Sequence, residues 1–127
     1  MAYQSFEDLK VWKRASRLAV EVCQRLAGSR EFALRDQMFR AAISIPSIIA
    51  EGHERDSRPD FVRFLRIAKG SAAELRTQCY IAMKLGVLAK TDAEKFTQET
   101  KEISAMLQGL IRSLARTPET SNLKLQT

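Results

Sequence analysis

The chain has 127 residues and a formal charge of +6, enough for one domain with a single modest core and a basic balance compatible with anionic partners. With only five glycines and three prolines, breakers are scarce, which favours long helices joined by short loops. No apolar run approaches the roughly 20 residues that span a bilayer, and "MAYQSFEDLK" has no basic head leading into an apolar run, so neither a membrane span nor a signal peptide is expected and a cytoplasmic location is.

Ser5, with Asp8 three residues on, resembles a capping box and starts the first helix in "FEDLKVWKRASRLAVEVCQRLAG". At 100° per residue, Leu9, Val11, Trp12, Ala15, Leu18, Ala19, Val22, Cys23 and Leu26 fall on one continuous arc. That arc takes about half the circumference, wider than the roughly 100° stripe a surface helix needs. Either Trp12 and its neighbours cover the end of the fold, or part of this face meets another subunit. Gly28 is the expected stop.

The second helix starts between Ser29 and Leu34 and runs through Pro46 to about Glu51, where Gly52 ends it. Its apolar face is Leu34, Met38, Ala41, Ala42, Ile45, Ile48 and Ile49. A proline inside a helix removes a donor and crowds the preceding turn, at about 3 kcal/mol. Ser44 and Ser47 flank it and can bond carbonyls that the break frees, so a kink is expected there.

Ser57 caps the third helix, with Pro59 in its first turn, and Gly86 stops it after Leu85. Thr91 with Glu94 reads as the cap of the fourth, in which Phe96, Thr100, Ile103, Leu107, Leu110 and Leu114 recur at threes and fours. The expected architecture is all-α: an antiparallel up-down-up-down four-helix bundle over residues 1–117, with 118–127 a flexible tail.

Little in the chain suggests chemistry. Cys23 and Cys79 fall on apolar stripes and read as small packed side chains in a reducing compartment. His53 is the single histidine and reads as a solvated loop residue; a carboxylate di-iron bundle needs Glu-x-x-His twice. Ser44, Ser47 and Ser71 lack a base, and Gly70-Ser71 lacks the lysine and spacing of a phosphate loop. No catalytic residue, metal site or cofactor is therefore expected, and the protein is read as not an enzyme.

Polar residues among the apolar ones say more. If helices two and three are antiparallel about residue 55, Arg40 reaches over Gly70 to Glu74, forming an internal ion pair. Gly70 and Ala41 would then let the two backbones approach closely, and removing Glu74 would destabilise the fold. The positive excess is local, +2 in residues 6–26 and +2 in 53–76. Lys10, Lys13, Arg14 and Arg17 share one face of helix one, while Arg55, Arg58, Arg63, Arg66 and Lys69 line the next loop and helix three. Such charges are either a solvated face or phosphate contacts, and Lys13, Arg17, Arg58, Arg63 and Arg66 are the candidates for binding RNA or DNA.

"FEDLKVWKRA", "DQMFRAAISIPSIIAEG" and "FLRIAKGSAAEL" together resemble a bacterial family of four-helix-bundle proteins named for open reading frames in intervening sequences of 23S ribosomal RNA genes. The accessory variability protein of diversity-generating retroelements is similar. The resemblance spans about residues 5 to 115. It implies a ring-like homopentamer without known catalytic activity or cofactor, suspected of binding nucleic acid. It also implies an alternative, an adaptor for a protein partner such as a reverse transcriptase. Matching motif positions in the second helix are Arg40, Ser44, Pro46, Ser47, Glu51 and Gly52; those in the third are Gly70, Ser71 and Glu74. The family usually has asparagine where this chain has Ile48.

Overall fold

The structure, a computed structural model, describes residues 5–116; the tail expected at 118–127 lies outside the described residues. Those residues form a short 3₁₀ turn, Phe6–Asp8, and four helices: α1 (Lys10–Leu26), α2 (Phe32–His53), α3 (Arg58–Lys84) and α4 (Lys90–Arg116). No strand occurs among them, so the fold is all-α.

The start of α1 departs from expectation. The Ser5 hydroxyl accepts the Glu7 N–H at 3.2 Å and caps the 3₁₀ turn, not the long helix. Leu9 then adopts an extended backbone (φ −73°, ψ 124°) that separates turn from helix, and its side chain is buried in the core. Phe6, carried by the turn, meets Trp12 edge-on with ring centroids 5.3 Å apart. The wide apolar arc of α1 is thus covered by its own chain: Val11, Ala15, Leu18, Ala19, Val22 and Leu26 are buried, and Trp12 packs on Phe6.

At the other end of the chain, Thr91 is not the cap of α4. Gly86 takes φ +74°, a conformation that favours glycine, and closes α3 with two bonds: Gly86 N–H to the Met83 carbonyl (3.1 Å) and Val87 N–H to the Ala82 carbonyl (2.9 Å). This tight closure buries Leu88 and delivers the chain into helix at Lys90, with Ala93 N–H already bonded to the Ala89 carbonyl at 2.9 Å. Thr91 is left inside the first turn.

Helix α2 runs without interruption through Pro46, which is buried. The Ser44 hydroxyl donates to the Ala41 carbonyl at 2.8 Å, whereas Ser47 is exposed and bonds no carbonyl among the described residues. Only one of the two flanking serines therefore compensates the backbone. Ile48 is half-buried and packs against the core.

Helix α2 packs on α1 and α3, α4 packs on α3 and α1, and the backbones of α1 and α3 are not neighbours, the two helices facing each other only across the core. The shared core is built from Val22 and Leu26 of α1, Met38, Ile45 and Ile49 of α2, Leu65 and Leu75 of α3, and Phe96, Ile103 and Leu107 of α4. Cys79 belongs to it, and burial pushes its thiol up to about 12; burial also raises that of the half-buried Cys23.

The close approach of α2 and α3 was expected at Gly70. It occurs at Gly52. A Cβ on buried Gly52 would stand 2.4 Å from Phe64 Cβ and 3.2 Å from Phe61 Cδ1. Gly70 is exposed, and a Cβ there would meet nothing within 4 Å.

Polar contacts tie α1 to α4. Arg25 Nε lies 3.2 Å from Asp92, Glu21 lies 3.5 Å from Lys95, and Arg14 pairs with Glu99 at 2.6 Å and Glu102 at 2.5 Å. The guanidinium of Arg14, hydrogen-bonded by two carboxylates, titrates above its ordinary value. Arg14, and to a smaller extent Gln98, holds the Glu102 carboxyl below its usual range. A lowered carboxylate contributes stability that is complete above its unfolded value near 4.5 and is lost as pH falls through the lower folded value. In Glu102→Gln, the urea midpoint should depend less steeply on pH below about 5 than in the parent, the two differing most at neutral pH, by a small amount because the pair is exposed, and converging in acid. Identical acid profiles would contradict the pairing.

Candidate nucleic-acid interface

The turn from α2 to α3 concentrates arginines because its local sequence builds a helix start around them. Ser57, extended at φ −132°, accepts the Asp60 N–H at 3.2 Å, and Pro59 fits the first turn, where its missing donor is not needed. This fixes Arg58, Arg63 and Arg66 on the first turns of α3. Phe64 follows the same helical spacing inward and is buried.

The ring of Phe64 organises two of the charges. The guanidinium of Arg55 lies 4.7 Å from its centroid and that of Arg63 lies 4.8 Å away. A cation over an aromatic face gains about 0.5–1 kcal/mol at exposed sites, which here holds two positive groups against one ring. Their carboxylate contacts are loose and exposed: Arg55 to Glu51 at 3.6 Å, Arg63 to Asp60 at 3.6 Å. Arg66 is exposed without an ion pair among the described residues, and Arg58 is half-buried in the turn. Arg55 was not among the five candidates; the signal that could have found it is the Phe64 ring, to which loop spacing alone gives no pointer.

Lys13 and Arg17 lie elsewhere. Both are exposed on α1, whose backbone is not a neighbour of α3, so the five candidates divide into two groups. Arg17 lines a cleft of about 110 Å³ with Glu21, Lys95 and Glu99, and its neighbours there include carboxylates. Arg14, from the same sequence cluster, is committed to Glu99 and Glu102. Both regions are mixed in sign, since Glu51, Glu54, Asp56 and Asp60 stand among the arginines of the α2–α3 turn; that turn carries the denser group of arginines.

Two expectations fail at this end of the molecule. His53 is not a solvated loop residue: it is the last residue of α2, with a side chain 8% exposed. The rings of Phe61, 5.5 Å away, and Phe6, 6.5 Å away, enclose it edge-on. Neither ring nitrogen has a hydrogen bond, and the Glu54 carboxylate stands 3.8 Å from Nδ1. The Arg40–Glu74 ion pair is also absent: both side chains are exposed and Arg40 has no ion pair among the described residues. With Gln37, Ala41, Ser44 and Ser71 they line an open polar groove of about 480 Å³ between α2 and α3. Both are open to solvent, so burial does not force them to pair. Of the remaining motif positions, Pro46 and Gly52 are buried, Ser47 and Glu51 are exposed, and Gly70 is open.

Among the described residues, no cluster of three or more His, Cys, Asp or Glu side chains could hold a metal ion, and no helix is long and apolar enough to cross a membrane.

Residues 7–109 match the family described as 23S rRNA-intervening sequence protein, and the chain belongs to that family. Among curated proteins, none matches the chain. One similar solved structure is a protein of unknown function from the S23 ribosomal protein family of Bacteroides thetaiotaomicron. It is 25% identical with a TM-score of 0.75, over 80% of this chain and 97% of that one.

Proposed function

We propose that this member of the 23S rRNA-intervening sequence protein family is a non-enzymatic, self-associating helical protein of the cytoplasm that binds RNA or DNA through phosphates. The observation that carries this is the pair of guanidiniums from Arg55 and Arg63 on the Phe64 ring, with Arg58 and Arg66 on the adjoining turns. Preset cations in loose, exposed ion pairs exchange carboxylates for phosphates at little cost, and such contacts position a backbone without reading sequence. The names of the family and of the solved neighbour both refer to ribosomal RNA or protein, which makes RNA the first ligand to test.

The scaffold in this reading is an up-down-up-down bundle. Contacts that descend along α4 as they ascend along α1 (Arg14 with Glu99, Glu21 with Lys95, Arg25 with Asp92) support antiparallel packing of that pair. A bend of α2 at Pro46 is part of the same proposal, supported by the donor that proline lacks.

The test is a binding series with RNA and duplex DNA across salt. Affinity should fall steeply with salt, and Arg63→Glu with Arg66→Glu should weaken it at least tenfold and lower the salt slope by about two. Absence of binding to either polymer at low salt would sink the reading and leave an adaptor for a protein partner in its place.

A further inference from the structure

The motif glycine that the fold does not use is the one that asks for a partner. Gly70 lies in the middle of the 27-residue α3, exposed, with open space where a side chain would stand. A glycine in a helix interior is destabilising relative to alanine, because it loses more backbone freedom on folding. No contact among the described residues repays that loss, since the close approach of α2 and α3 is made at Gly52.

The surroundings of Gly70 are those of a contact surface. Arg40 and Glu74 are exposed on the adjoining groove. Arg40 has no partner among the described residues, and Glu74 has only a 3.5 Å hydrogen bond donated by Gln78. Ile43 is 50% exposed and Ile67 is 46% exposed. Helical spacing places Ile43 beside Arg40 on α2, and Ile67 and Glu74 beside Gly70 on α3. A mixed-sign patch with exposed isoleucines is poorly matched to a phosphate backbone. It is matched to itself, because the cation of one copy can face the anion of another.

We propose that this face is where a second copy of the chain docks, with the backbone at Gly70 in close contact across the interface and Arg40 of each copy paired with Glu74 of its neighbour. The proposal rests on the self-association put forward above and names the surface responsible.

Sedimentation velocity across a concentration series tests it, with helicity by circular dichroism to show that each variant is folded. The parent should sediment as a multiple of 14.4 kDa. Gly70→Leu and Glu74→Arg should each weaken association at least tenfold while keeping parental helicity. The double variant Arg40→Glu with Glu74→Arg, which restores opposite charges across the contact, should regain most of the assembly. Gly109→Leu, at an equally open helical glycine of α4, should sediment like the parent. A parent at 14.4 kDa throughout would overturn self-association and docking face together. An assembled parent whose Gly70→Leu variant assembles equally well would overturn the docking face alone. An assembled parent whose double variant stays as weak as Glu74→Arg would overturn the charge pairing.

Discussion

Gly52→Ala should lower the unfolding free energy by about 3 kcal/mol, near the upper end of what overpacking usually costs. The added methyl would sit 2.4 Å from Phe64 Cβ, a distance that no rotamer relieves because both atoms are fixed to their backbones. Helices α2 and α3 would have to separate, loosening the contacts of Phe61 and Leu65 as well. The gain in helix propensity from replacing glycine, about 1 kcal/mol, is too small to offset this. Phe64→Ala in the same background should give no relief, since the clash is with a Cβ that alanine retains. Urea denaturation of the parent and the two variants measures these effects. A Gly52→Ala protein as stable as the parent would show that the two helices are not in contact at this point.

Phe96→Ala should cost more still, about 4 kcal/mol, within the 3–5 kcal/mol seen for truncating buried phenylalanines. Phe96 is 1% exposed and is the largest fully buried side chain of the core. It also floors the cleft beneath Arg17, Glu21, Lys95 and Glu99, with Leu18 beside it. Its removal therefore opens the cleft toward the core, and water entering there would meet apolar walls. The midpoint should fall without a large change in the denaturant slope, because the exposed surface on unfolding is nearly unchanged. A loss under 1 kcal/mol would mean that neighbouring side chains collapse into the space.

Much of the fold could be read from residue spacing. The apolar repeats locate α2, α3 and α4 to within a few residues, and Ser57 and Gly86 mark the boundaries they were expected to mark. What failed were features set by packing between helices. Thr91 carries the chemistry of a cap, yet burial of Leu88 brings the chain into helix before it. Gly52 and Gly70 are alike as letters, and only the approach of Phe64 distinguishes the buried one from the open one. His53 looked solvated because nothing in sequence places Phe6 and Phe61 around it. Of the candidate interface, the arginines were visible as charges. Their separation into two groups, and the ring that organises Arg55 with Arg63, depend on which helices are neighbours. Ile48 faces the core in part, which accounts for an apolar residue there.

In the proposed reading, the placement of α1 and α3 as non-neighbouring helices bears on how the protein would handle a long polymer. Lys13 and Arg17 belong to one of these helices, Arg63 and Arg66 to the other. A strand held along α3 leaves α1 exposed to a different strand, or to a later stretch of the same one. Capture of that second stretch is intramolecular, and short flexible spans raise its effective concentration into the millimolar range. Two weak sites on unlinked faces would then act through avidity, bridging segments of nucleic acid, whereas a single continuous patch would only coat one.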